Sequence, residues 1–225
     1  VISSEVTIYN LALNAIGARS NVGSPDEASR EAEVCKLWYS PVRDQVLAAS
    51  VWPEATKLAR LALLDERDQD EDWVTTNARP DYQYAYAVPS DMLHPQYLSV
   101  YQRFLITAYP DNRKALVTNV ETPILIYTSR MDTVSLWSAS LQMAIVYGLA
   151  SHICMPLSGK NTRAKALAEK ANELIWAARE RAANTSNEQM ESIPDWIAGR
   201  GYAGATAGTR YVYPYGDAFG SNSVA

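Results

Sequence analysis

Asp91 and His94, in the stretch YQYAYAVPSDMLHP, have the types and the separation for acid–base chemistry, and Tyr82, Tyr84 and Tyr86 precede them at strict alternation. An Asp–His pair turns hydrolytic when a distant acid, a nucleophile or a metal joins it in a pocket that shifts its pKa values. The chain has no G-x-S-x-G and no Cys/His nucleophile arrangement to complete such a site. Three rings on one strand face could instead stack nucleic-acid bases, provided a positive groove ran beside them. The nearest charges are Arg79 and Asp81 on one side and Asp91 on the other, so packing across a sheet is the stronger expectation.

The other chemical constellations are weaker. His94, His152, Cys35 and Cys154 show no paired spacing, which predicts no metal site and no cofactor. GRGYAG (199–204) fits G-x-G-x-x-G on paper but neither follows a strand nor opens a helix. SGKNT (158–162) lacks the first glycine and the Gly-Lys-Ser/Thr ending of a phosphate loop, and reads as a helix cap at a turn. The run DERDQDED holds Asp65, Glu66, Asp68, Asp70, Glu71 and Asp72 without the glycine turn of a calcium loop, and is expected to be a solvated loop. Catalysis is not expected.

The chain as a whole sets the frame for these residues. At 225 residues and 48% hydrophobic content it can bury a real core in one or two domains. A net charge of −5 excludes a sequence-wide basic footprint for nucleic acid. Two widely separated cysteines do not make a disulfide framework and fit a reducing compartment better. No basic, cleavable apolar leader opens the sequence, so no secretion signal is expected. From Thr133 to Gly159 there is no charged residue, a length that could span a bilayer. Ser135, Ser138, Ser140, Gln142, Ser151 and His152 interrupt it and no basic cluster flanks it, which favours a buried central helix and no membrane span.

Periodicity then places the elements. A first helix is predicted over 4–16, with Ser4 as N-cap, a Val6/Tyr9/Leu13/Ile16 stripe and Gly17 as stop. A second is predicted from Pro25 or Asp26 towards Ser50, with Pro41 forcing either a kink or two abutting helices, Ser40 capping the second. KLARLALL is ambiguous between helix and strand. Segments 82–88, 98–107, 114–119 and 123–129 read as strands of one small antiparallel sheet. An apolar helix over 133–157 and an amphipathic one over 160–183, with Leu167, Ala171, Leu174 and Ala178 on one face, complete an α+β order in which helices flank a β insertion. The last 27 residues hold six of the ten glycines and four tyrosines, and cannot build a core of their own. They are expected to stay disordered alone or to be ordered by a partner.

Several segments taken in order resemble one family. IYNLALNAIGA with its Ala15–Gly17 end, the SPDEAS loop, Arg43–Leu47 (Arg-Asp-x-x-Leu), Trp52–Pro53, the tyrosine-rich strand leading to VPSDM, and ILIYTSRMD before an Ala-rich helix are similar to the head-to-tail adaptor proteins of short-tailed bacteriophages, also called tail tubular A or gatekeeper proteins. The resemblance covers about residues 3–183; Pro41 and the tyrosine–glycine tail depart from it. It implies an antiparallel helical bundle (1–56 and 132–198) and an inserted small antiparallel β platform domain (57–131); the composition of the tail, outside the resemblance, adds an extended C-terminal arm (199–225). The resemblance also implies a homo-oligomer, a dodecameric ring in the virion between the portal protein and the tail nozzle or hub. Packaged DNA would pass through the ring without specific binding. The acidic loop from Asp65 to Asp72 would face the nozzle or the lumen. On this reading Tyr202, Arg210, Tyr211, Tyr213 and Tyr215 are the expected contacts to the portal or to an adjacent adaptor. The alternatives are a nucleic-acid-binding module using Tyr82, Tyr84 and Tyr86, and a hydrolase using Asp91 and His94.

Overall fold

Capping residues set the helix ends. The structure, a computed structural model, describes residues 4–67, 81–100, 102–109 and 113–185, all within the unit Val1–Ser186. Helix α1 (Glu5–Ile16) starts where the Ser4 hydroxyl accepts from the Thr7 N–H and ends at Gly17, whose left-handed φ of 78° suits a residue without Cβ. Helix α2 (Arg30–Ala49) begins later than the periodicity predicts. Residues 25–26 are taken up in a turn closed by Glu27 N–H on the Ser24 carbonyl, and Ser29 supplies the cap.

Helix α2 runs as one helix through Pro41, which removes one of the two expected alternatives, a pair of abutting helices with Ser40 capping the second. Proline deprives the carbonyl four residues back of its donor. Here that carbonyl belongs to Leu37, which is exposed, as is Pro41, so water can take the place of the lost bond. The predicted apolar helix starts later than Thr133. A 3-10 turn (Val134–Leu136) comes first, and α3 (Ala139–Ser158) then begins at the Ser138 cap. Gly159, at φ 65°, ends α3 and lets α4 (Asn161–Thr185) follow at once.

Helix α3 packs along α1, α2 and α4. Leu141, Ala144, Ile145, Leu149 and Ile153 of α3 are fully buried in a core with Ile8 and Leu13 of α1, Cys35, Val42 and Leu47 of α2, and Leu167 and Ala178 of α4. Among the described residues α3 is the helix long and apolar enough to cross a membrane by length and composition alone. Half of that stretch is buried, with Leu141, Ile145, Leu149 and Ile153 covered by the other helices, while Met155 is exposed. Gly148 marks the closest approach: a Cβ there would meet Val42 Cγ1 at 3.0 Å.

The β segment forms two antiparallel sheets where one was expected. Strands β1 (Thr56–Arg60), β7 (Ile124–Ser129) and β4 (Met92–Leu98) make the first, in the order β1-β7-β4. Strands β2 (Leu63–Glu66), β3 (Tyr84–Ala87), β6 (Lys114–Thr118) and β5 (Phe104–Ala108) make the second, in the order β2-β3-β6-β5. KLARLALL thus divides between β1 and β2, and the predicted 98–107 strand is broken between β4 and β5. Pro95 hides β4 from a propensity reading, because proline gives no ladder N–H. The strand tolerates it as an edge strand with register shifts on both sides of the proline, between Met92 and His94 and between Pro95 and Tyr97. A second core lies between the sheets: Leu98, Leu125 and Tyr127 of the first pack with Tyr86 and Leu116 of the second, and Leu61 joins them. Burying such side chains contributes roughly 1.5–3 kcal/mol each, which is why this segment folds as a sandwich. The architecture is α+β.

Candidate interaction surfaces

The tyrosine strand is divided between two faces. Tyr84 and Tyr86 point into the core between the sheets, with ring centroids 6.2 Å apart. Tyr86 is 2% exposed, and its hydroxyl donates to the Val120 carbonyl at 2.8 Å and to that of Glu121. Burial, with the charges of Glu121 and Glu66 behind it, pushes this phenol up to about 12. Tyr82 lies outside β3, beyond a bend at Gln83, and packs with Ala85, Val117, Leu105 and Tyr109 on the other side of the sheet. The strict alternation in sequence therefore does not make a three-ring face, and no aromatic stacking platform exists at this strand.

Asp91 and His94 are also parted. Asp91 accepts from Lys57 Nζ at 2.7 Å and from the Tyr127 hydroxyl at 3.0 Å. The ammonium first, and then the phenol, hold its carboxyl below the usual range, while burial and Asp91 push Tyr127 up to about 12. Lys57 is opposite Tyr127 in the ladder, whereas His94 is opposite Thr128. Successive residues point to opposite faces of a sheet, so the pair does not converge on one substrate.

Part of the acidic run is strand and not loop. Asp65 and Glu66 are the last residues before the sheet edge gives out, on β2 opposite Ala85 and Tyr84. Asp65 accepts from the Tyr109 hydroxyl at 3.0 Å, a cross-sheet bond that a solvated loop would not make. Asp68, Asp70, Glu71 and Asp72 lie outside the described residues, as do Tyr202, Arg210, Tyr211, Tyr213 and Tyr215.

Four features escaped the sequence reading. The first is an ion-pair chain that ties α2 to the segment after β7. Arg43, 7% exposed, reaches Asp132 and also donates to Asp44 Oδ1 at 2.9 Å. Asp44 Oδ2 in turn receives Arg130 Nε at 3.0 Å and Nη2 at 2.8 Å. The adjacent Arg-Asp pair on the buried seam of α2 was the available signal. The second is a surface stack of Trp38 on His152, 4.7 Å between ring centroids and 15° between planes. Leu37 (68% exposed) neighbours Trp38 in sequence, and Met155 (50%) lies one turn beyond His152 on α3. The third is on the first sheet, where Leu58 (62% exposed) and Tyr97 (37%) both stand opposite Ile126, itself buried.

The fourth is a cavity of about 440 Å³ at the β3–β4 turn. Leu64, Val88 and Met92 form an aliphatic wall, and Arg113, Lys114 and Arg130 line the rest with Ser90. Both cysteines are free and buried, and among the described residues no three His, Cys, Asp or Glu side chains gather as a metal would need.

No family model matches the sequence, and no curated protein matches it either.

Proposed function

We propose that the chain is a structural head-to-tail adaptor, one subunit of a ring that joins a phage portal to the tail nozzle or hub, extends the DNA channel and helps to retain the genome. The observation that carries this reading is the pair of unlike apolar surfaces. One is on the helices, at the Trp38–His152 stack, with the exposed Met155 one turn further along α3 and the exposed Leu37 next to Trp38 in sequence. The other is on the first sheet, where the exposed Leu58 and Tyr97 flank a buried Ile126. A cyclic ring is closed by head-to-tail contacts, so each subunit presents two different faces to its two neighbours. Aromatic residues and methionine are enriched at such contacts.

The finer architecture belongs to the same proposal: an antiparallel helical bundle, a β platform and a C-terminal arm from 199 onward. The element order of the resembling family and the helix–sandwich–helix order of this fold support it. In this account Tyr202, Arg210, Tyr211, Tyr213 and Tyr215 clasp the portal or a neighbouring adaptor, because a tyrosine- and glycine-rich segment without a core can gain order on a partner surface. The residues from Asp65 to Asp72 add negative charge towards the nozzle or lumen, which disfavours phosphate binding and lets DNA slide. A truncation lacking residues 199–225 tests the assignment. It should keep the helical circular dichroism of the full chain and lose co-sedimentation with the portal; normal docking of the truncation would refute it.

A further inference from the structure

Each sheet has two edge strands, and the four are not alike. Strand β4 carries Pro95, with register shifts on both sides of it, and β2 carries a shift between Leu63 and Asp65 and ends in two acids. Proline, bulges and charge all keep an edge from pairing with another chain. Strands β1 and β5 instead keep an unbroken register over all five of their residues. Among the described residues no strand lies on the far side of either. The β5 sequence, FLITA, has neither charge nor proline to guard it.

Two ladder bonds show which backbone groups of these edges point outward. Leu61 N–H donates to the Pro123 carbonyl, so the odd-numbered residues of β1 face β7 and Thr56, Leu58 and Arg60 turn N–H and C=O away. Tyr109 N–H donates to the Arg113 carbonyl, so Phe104, Ile106 and Ala108 turn theirs away from β6 in the same manner. The two edges therefore offer donors and acceptors at one spacing over one length. Such an edge is recognised by an extended strand.

Laid antiparallel in the register that uses all the outward groups, Ile106 of one copy stands opposite Leu58 of another, and Phe104 opposite Arg60. Directly opposed side chains share a face. Phe104 and Ile106 pack on the core between the two sheets, so Leu58 of the other copy, 62% exposed in the single chain, would extend that core. Phe104 would meet the aliphatic stem of Arg60. Pairing β1 with a second β1 would crowd Lys57 and Arg60 of both copies onto one short ladder, which like charge opposes. Pairing β5 with a second β5 about a two-fold would leave both β1 edges and Leu58 uncovered.

We propose that β5 of one copy pairs antiparallel with β1 of a second copy, joining the second sheet of each subunit to the first sheet of its neighbour. The head-to-tail sense rests on the ring reading above, and the pairing names the surface that meets Leu58. The test uses the full chain bearing Leu58→Cys or Ile106→Cys, since the native Cys35 and Cys154 are buried. Opposed residues of such a pair lie about 5.5 Å apart at Cα, within reach of a disulfide. Oxidised at high concentration, a mixture of the two single variants should give a cross-linked pair, either variant alone should not, and the double variant should give a ladder of multimers. Leu58→Pro removes an outward N–H and no bond to β7. It should keep the circular dichroism of the wild type and weaken self-association at least about 10-fold in sedimentation, the effect of one lost hydrogen bond and one unburied leucine.

Cross-linking of Ile106→Cys to itself in place of the mixed pair, no cross-link in the mixture, or wild-type association of Leu58→Pro would each overturn the proposal. Rings seated on a portal in electron micrographs but lacking the 58–106 cross-link would overturn the strand pairing and leave the adaptor reading standing. Cross-linked multimers that never seat on a portal would support the pairing and contradict the adaptor reading.

Discussion

Gly148 is the position where a single methyl group tests the helical core most sharply. In the middle of a helix, glycine costs about 1 kcal/mol relative to alanine, so Gly148→Ala would stabilise α3 if nothing stood nearby. A Cβ at this position, however, would lie 3.0 Å from Val42 Cγ1 and 3.7 Å from Val46 Cγ2. Favourable carbon–carbon separation is about 3.5–4.0 Å, so α2 and α3 must part by roughly half an ångström or Val42 must rotate. A β-branched residue in a helix has essentially one rotamer, which leaves the helices to move. Overpacking of this kind costs about 1–3 kcal/mol. Set against the propensity gain, Gly148→Ala should destabilise by about 1 kcal/mol, and Gly148→Val by several times that, in urea unfolding with an unchanged slope. Val42→Ala alone should cost about 2 kcal/mol as a large-to-small change. The double variant should cost at least about 1 kcal/mol less than the sum, since the second change removes what the first strikes. Additivity within about 0.5 kcal/mol, or a stabilising Gly148→Ala, would refute the close approach of α2 and α3 on which the core rests.

Two further outcomes follow from the ion pairs. Arg43→Ala should cost about 2–3 kcal/mol in chemical unfolding, below the usual 3–5 for a fully buried pair because Asp44 keeps Arg130 and reaches water. Asp132→Asn, at a side chain 73% exposed, should cost less than about 1 kcal/mol; equal effects of the two would contradict this ranking. Asp91 has a depressed folded-state pKa, so its contribution is present above its unfolded value near 4 and is lost as pH falls through the lower folded value. The stability difference between the wild type and Asp91→Asn should therefore be constant above about pH 5 and shrink as the pH drops below 4, which unfolding curves across that range will show.

Much of the helical part is legible in the sequence because local signals decide it. Ser4 and Gly17 bound α1, and Leu167, Ala171 and Ala178 on α4 are buried as their spacing predicts. The start of α2 is misjudged because Pro25 and Asp26 suit a first turn as well as they suit the loop that Ser24 and Glu27 close. The sheets are less legible. Whether KLARLALL is one element or two depends on two different partners, Ile124–Ser129 for its first half and Tyr84–Ala87 for its second, and whether the residues around Pro95 can pair depends on Ile124–Ser129 again. Tyr82 illustrates the same limit: period-2 spacing predicts a shared face with Tyr84 only if the strand continues, and the bend at Gln83 stops it. The ion-pair chain and the cavity join residues far apart in sequence, so no local pattern announces either.

Electron microscopy of the full chain mixed with its portal protein tests the adaptor reading most directly. The account predicts rings of this chain seated coaxially on the portal. A chain that stays monomeric and never associates with the portal would contradict it.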